Sequence, residues 1–371
     1  MKNEMRHIAR LLAALMVLLT SCTADDEQPV TDEPEAAATP ITLAATVEGA
    51  VTRSGSTGNI DYSVLASSDY GFGVFASQLG WTNQKVSYNG PTPAENPGSI
   101  FAYPGSWTYG DLKYWKKDVN GGSVDFSVDF YAYAPYVESP ALESTGITNV
   151  SGTSVDYTIG TNPDNCVDLL WGVNGSTGTP WTGTTYEQTG GPVLFTFHHA
   201  LTAIAVEVKS NIDEFEDYTL GVYNVTLNGE FYPSATLSLA NSTPNAPAWS
   251  NHKALANNTL TITGAQIAGH KLLFVIPNAM KQDYTLNLSW SVTKTGESPI
   301  NKLSTIDIND LDLLAGVKYY LILKITLKGI ELDVEAEDWT GNEVPLNVKI
   351  EHGTSASESL SRPQKTTKKT K

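Results

Sequence analysis

Histidines 198 and 199 are the first residues to weigh for chemistry, because imidazoles bind metals and move protons. They are neighbours in a stretch, Phe195-Thr196-Phe197, that alternates apolar and polar residues as a strand does. On a strand adjacent side chains point to opposite faces, so the pair cannot readily share a metal ion. Carboxylates are plentiful, 40 in all, and a glycosidase pair could stand among them, but sequence spacing singles none out. Asn174-Gly175-Ser176-Thr177-Gly178 comes nearest to a nucleophile elbow and lacks its first glycine. No HExxH, CxxC, P-loop or GxGxxG string occurs. These residues point to a protein that is not an enzyme and needs no cofactor or metal. Trp107, Tyr109, Tyr114 and Trp115 fall within nine residues. They could stack on sugar rings or close over the end of a β-sandwich.

Two other residues invite chemistry done to the chain. Residues 2–10 are basic and Ile8–Leu19 are mostly apolar, a run too short to span a bilayer but suited to a secretory signal. The run ends in Leu19-Thr20-Ser21-Cys22, which resembles a bacterial lipobox with Cys22 as the lipidated residue. Residues 1–21 then form the signal peptide, and 22–40, rich in Asp, Glu, Pro, Ala and Thr, a flexible tether. Cys166 is left without a partner and is expected to be a small core residue. The second residue is Arg53. Of four arginines, it alone lies between Cys22 and Ser361, in Val51-Thr52-Arg53-Ser54-Gly55. An Arg-specific protease would find one site in the body and leave Ser54 as a new N-terminus. Its other site in the mature chain, Arg362-Pro363, is hindered by the proline.

The elements that hold these residues read as β. The chain has 371 residues, 41% of them hydrophobic, which is enough for a sizeable core. Its net charge of −17 repels phosphate and argues against nucleic acid as a partner. A first strand is expected from Ile41 to about Val51. Val124, Phe126, Val128 and Phe130 alternate with Asp125, Ser127 and Asp129, and Tyr131–Tyr136 continue the run. Leu201–Lys209 is apolar on both faces. Leu220–Leu227 is expected to end at a hairpin turn, Asn228-Gly229. Further strands are expected at Leu237–Leu239, Leu260–Ile262, Leu272–Ile276, Tyr284–Val292, Val317–Leu327 and Leu332–Ala336. Val344, Leu346, Val348 and Ile350 alternate strictly. A short helix is expected near Asn309–Leu314. Short strands between Gly-, Pro- and Asn-rich turns indicate sandwiches. Tryptophan and tyrosine concentrate before residue 193, which places a domain boundary near there. The domains are then 41–192 and 193–351, followed by a basic tail, 352–371, expected to be disordered.

At this point the chain resembles the fimbrillin-like proteins of Bacteroidales, the subunits of type V pili. The resemblance is carried by the lipobox at Cys22, by Thr52-Arg53 after the first strand, and by Phe130-Tyr131-Ala132-Tyr133-Ala134-Pro135-Tyr136. Asp168-Leu169-Leu170-Trp171-Gly172, Phe195-Thr196-Phe197-His198-His199-Ala200-Leu201, and Ala315-Gly316-Val317-Lys318-Tyr319-Tyr320-Leu321 with Trp339 complete it. The resemblance implies two transthyretin-like β-sandwich domains in tandem and no catalysis. It implies export to the outer membrane surface as a lipoprotein, consistent with the acidic Asp25-Asp26-Glu27 after Cys22. It also implies cleavage after Arg53 by a trypsin-like protease, loss of the strand at 41–53, and filling of the opened groove by a strand from another subunit. The best donor is Val344–Ile350, with Val344, Leu346, Val348 and Ile350 as plugs, although it reads equally well as the final strand of its own domain. The basic tail departs from the family pattern and leaves the stalk, tip or anchor role open. The alternative is a non-polymerising surface lipoprotein that binds glycans through the aromatic loops of the first domain.

Overall fold

A computed structural model describes residues 39–48, 60–66, 70–90, 107–115, 126–138, 146–160, 167–189, 191–210, 217–243, 246–326 and 329–352. The described chain is nearly all β. In chain order it carries β1 (Leu43–Val47), β2 (Phe72–Ala76), β3 (Trp81–Tyr88), β4 (Trp107–Tyr109), β5 (Val128–Ala134), β6 (Ile147–Ser151), β7 (Ser154–Thr158), β8 (Leu170–Asn174), β9 (Trp181–Thr184) and β10 (Val193–His199). There follow β11 (Thr202–Ser210), β12 (Tyr218–Phe231), β13 (Ser234–Thr243), β14 (Ala246–Ser250), β15 (Ala256–Thr263), β16 (Leu273–Val275), β17 (Asn278–Lys294), β18 (Ile300–Leu313), β19 (Val317–Thr326), β20 (Gly329–Asp338) and β21 (Lys349–His352). Helices are single turns: α1 (Tyr62–Leu65), α2 (Tyr186–Thr189) and α3 (Gly264–Ala268).

The strands form four sheets. The largest runs β1-β10-β8-β5-β2-β3-β4, with β9 also paired to β5. The others run β14-β13-β7-β6, β16-β11-β19-β20 and β15-β12-β17-β18-β21. β11 and β19 lie in the middle of their sheet and pair parallel over Ala203–Ser210 and Lys318–Ile325. Over 202–206 and 317–323 they are buried on both faces, and there they read as largely continuous apolar runs rather than alternating ones. One hydrophobic cluster joins Trp171 and Val173 of β8, Leu237 of β13, Leu286 and Trp290 of β17, and Leu321 and Leu323 of β19. β10 begins where the boundary near 193 was expected. It pairs with β8 on one side and β1 on the other, so the chain passes from one sheet to the next between His199 and Thr202. β7 in turn pairs with β13.

All these strands belong to one compact unit, Ile41–Lys113 with Ser127–Lys371. A second, small unit comprises Met1–Pro40 and Tyr114–Phe126. Within it Tyr114 bridges antiparallel to Pro40, and the Trp115 N–H donates to the Thr39 carbonyl at 2.9 Å.

Three local expectations are corrected. Asn228-Gly229 is no turn; β12 continues through it to Phe231, paired with β15 and β17. The glycine serves close approach: a Cβ there would come within 2.3 Å of the Tyr284 ring. Asn309–Leu314 is not a helix but the end of β18, whose Ile306, Ile308, Leu311 and Leu313 are buried. Asp310, at φ 63°, supplies a bulge that realigns β18 against β17. Finally, the alternating segment 344–350 is a strand only from Lys349 onward.

Candidate functional site

β1 is the element on which any strand-removal chemistry would act, and its seat can be built residue by residue. It sits at the end of its sheet's strand order and, among the described residues, pairs with β10 alone, in parallel register, Leu43 opposite Val193 and Val47 opposite Phe197. Ile41, Leu43, Ala45 and Val47 are buried, Leu43 and Ala45 completely. The backbone is fastened at both ends. Ile41 N–H donates to Lys113 O at 2.8 Å, and the Tyr109 hydroxyl donates to Ile41 O. Farther on, Val193 N–H donates to Thr42 O and Glu48 N–H to Phe197 O, each at 2.8 Å. Below β10 lies an aromatic nest in which Phe72 meets Trp107, Phe195 and Phe197 edge-on at 5.0–5.8 Å. Edge-to-face pairs of this kind add to the value of their burial.

The adjacent histidines do point to opposite faces, and each finds its own carboxylate. His198 Nδ1 meets Glu48 Oε2, pinning the residue that follows β1. The His198 hydrogen bond is the largest effect on the Glu48 carboxyl and holds it below its usual range, against burial that pushes it up. His199 Nδ1 meets Asp168 Oδ2 inside the protein, and its ring stacks on Trp339 with centroids 3.5 Å apart. Lys318 Nζ lies 4.9 Å from the Trp339 ring centroid and forms a 2.7 Å ion pair with Glu337, which also accepts from the Tyr320 hydroxyl at 2.7 Å. Three stretches quoted above for the resemblance, around 168, 199 and 318–339, therefore meet at one buried polar junction. Neither Glu48 nor these pairings could be read from the sequence, because cross-strand partners are set by register. Among the described residues, no group of three His, Cys, Asp or Glu could hold a metal ion.

The remaining expected positions fall as follows. Cys22, Arg53, Ser54 and Cys166 lie outside the described residues, as do most of the tether and the tail. Val344, Leu346, Val348 and Ile350 are half-buried against the protein's own core, while Pro345, Asn347 and Lys349 are exposed. This segment is held by Val344 N–H to Ala336 O at 2.9 Å, by a bridge from Glu343 to Glu337, and by β21 pairing with β18. The aromatic group does not form the sugar-stacking surface considered above: Trp107 and Trp115 are buried and only Tyr114 is well exposed. Large planar side chains near strand ends gained more from burial than from water.

Among the described residues the protein is an antiparallel-rich β-fold with β1 at the end of its largest sheet. The fimbrillin-like family profile matches residues 52–339, and the chain belongs to that family. It is 23% identical over 221 residues to a Bacteroides uniformis protein named as the fimbrium subunit Fim1C, covering 57% of this chain. The chain spans about 61% of the length of that relative. A crystal structure of a fimbrial protein from Bacteroides vulgatus shares the fold, with a TM-score of 0.53 at 18% identity over 81% of this chain and 99% of that one.

Proposed function

We propose that this protein is a structural subunit or adhesin of a type V pilus on the cell surface, exported as a lipoprotein acylated at Cys22. Assembly follows cleavage of the Arg53–Ser54 bond and departure of the strand at 41–53. The observation that carries this reading is the seat of β1: one pairing partner among the described residues, completely buried Leu43 and Ala45, and the body's lone arginine five residues beyond Glu48. An edge strand with one ladder can leave without breaking the interior of its sheet, and it exposes a row of backbone donors and acceptors when it goes.

The vacated seat then takes a strand from another subunit by β-strand addition. Val344, Leu346, Val348 and Ile350 have the required alternation, and few backbone bonds hold them in place. Four such side chains at about 1.5–3 kcal/mol each contribute roughly 6–12 kcal/mol before ordering costs. That outweighs screened repulsion between acidic surfaces. In this reading 41–192 and 193–351 act as tandem transthyretin-like units. The partners are other subunits, an Arg-specific protease and, through Cys22, the outer membrane. No catalysis is required of the protein itself.

Mass spectrometry of the N-terminus of surface-associated protein tests the reading. The expected N-terminus is Ser54, with detergent-resistant ladders that vanish in Arg53→Ala. Ladders that persist in Arg53→Ala, or a mature N-terminus fixed at acylated Cys22, would overturn it.

A further inference from the structure

A groove of about 840 Å3 runs along the outer face of β10 and β8, bounded by the turn after β8 and by the segment from β9 to α2. Its volume lies within the ~300–1,000 Å3 typical of small-molecule sites. From the groove we propose that the protein binds a neutral oligosaccharide there, at a place distinct from the buried Trp107 and Trp115.

Four observations carry this. First, the chain has a net charge of −17, yet among the described residues no ionisable side chain lines the groove. A charged ligand would find no counter-ion, whereas an uncharged polyol needs none. Second, Trp181 and Leu194 supply a half-buried indole and an exposed aliphatic surface; Leu194 is 38% exposed. They are joined, because Trp181 Nε1 donates to Leu194 O at 2.9 Å. Such surfaces match the apolar C–H faces of pyranose rings. Third, most of the remaining lining side chains carry a hydroxyl or amide, among them Thr46, Asn174, Gln188 and Thr196. These groups, like sugar hydroxyls, both donate and accept. Asn174 spends its Oδ1 on Ser176 N–H at 2.9 Å, which leaves its NH2 to donate. Fourth, Thr184 lines the groove and is 1% exposed, and its buried hydroxyl has no hydrogen-bond partner among the described residues. A buried hydroxyl without a partner costs free energy that a ligand hydroxyl can recover.

The site is also shaped in advance. A Cβ on Gly175 would come within 2.3 Å of Thr196 Oγ1, so the turn after β8 rests directly on the groove floor. Thr46 and Thr196 are register partners on β1 and β10 and share that face. The proposal does not depend on removal of β1, which would take away one wall residue, Thr46.

The test uses the full chain, uncleaved. Maltotriose, cellotriose, chitotriose and lacto-N-tetraose are titrated, with 3′-sialyllactose as the charged control. Binding is read by saturation-transfer NMR and tryptophan fluorescence. At least one neutral sugar is expected to bind in the millimolar range or tighter, and the sialylated one more weakly. Leu194→Glu, which places a carboxylate at an exposed position, should weaken binding about tenfold or more. Thr184→Val should weaken it severalfold while leaving the urea midpoint equal or higher. Absence of binding to all four neutral sugars, preference for the sialylated one, or unchanged affinity in Leu194→Glu overturns the proposal. Ladder formation is scored separately, in the unsubstituted protein and in Arg53→Ala, so failure here leaves the strand-exchange reading standing.

Discussion

The indole of Trp339 lies flat on the imidazole of His199, with centroids 3.5 Å apart and planes within 12°. One ring follows β20 and the other ends β10, so the contact ties the sheet that holds β1 to the sheet built on β11 and β19. Asp168 closes the arrangement from behind His199. Removing any member leaves a buried polar group or a void.

Trp339→Ala should lower stability by about 3–5 kcal/mol, the cost of an emptied aromatic site. Asp168→Ala should cost about 1–3 kcal/mol by stranding the buried imidazole. Urea unfolding of the single and double variants measures both. Costs that simply add would show that Asp168 and Trp339 do not act through His199.

Lys318 and Glu337 are cross-strand partners on β19 and β20, and Lys318 is buried. Glu337→Gln should destabilise by about 3–5 kcal/mol, since it leaves a buried ammonium without its counter-charge. The double variant Lys318→Met with Glu337→Leu should recover most of that loss. Thermal unfolding of the set decides, and a Glu337→Gln protein as stable as the parent would refute a structural role for the pair.

The Glu48–His198 contact makes the C-terminal end of β1 sensitive to acid. Glu48 has a folded pKa below its ordinary 4.5. Its contribution is therefore present above that value and lost as pH falls through the depressed one. Amide exchange of Leu43–Val47, scaled to intrinsic rates, should speed up as pH drops below about 4.5. The same slope in Glu48→Gln would assign the effect to other carboxyls.

Gly229 faces the Tyr284 ring in the middle of β12. Gly229→Ala should destabilise by about 1–3 kcal/mol through overpacking. Adding Tyr284→Phe would not relieve it, because the contact is with ring carbons rather than the hydroxyl. A neutral Gly229→Ala, read by urea midpoint, would show that the ring moves freely.

Much of the β-architecture was legible in the sequence because burial of one face imposes alternation on a strand and burial of both imposes an apolar run. Leu43-Ala44-Ala45, Leu201–Lys209 and Val317–Leu327 announced themselves in this way. The opposed directions of His198 and His199 followed from strand geometry alone. Asn228-Gly229 and Asn309–Leu314 misled because local turn and cap chemistry is a weak preference. In place, each was outweighed by non-local demands: the Tyr284 ring over Gly229, and four buried apolar residues around the bulge at Asp310. Pairing was decided only by tertiary structure. That β1 lies parallel to β10, that Glu48 reaches His198, that Asp168 and Trp339 enclose His199, and that neutral side chains around Trp181 line one groove all depend on register between distant segments. Local composition carries no record of register, since a strand's pattern states which face is buried and not what lies against it.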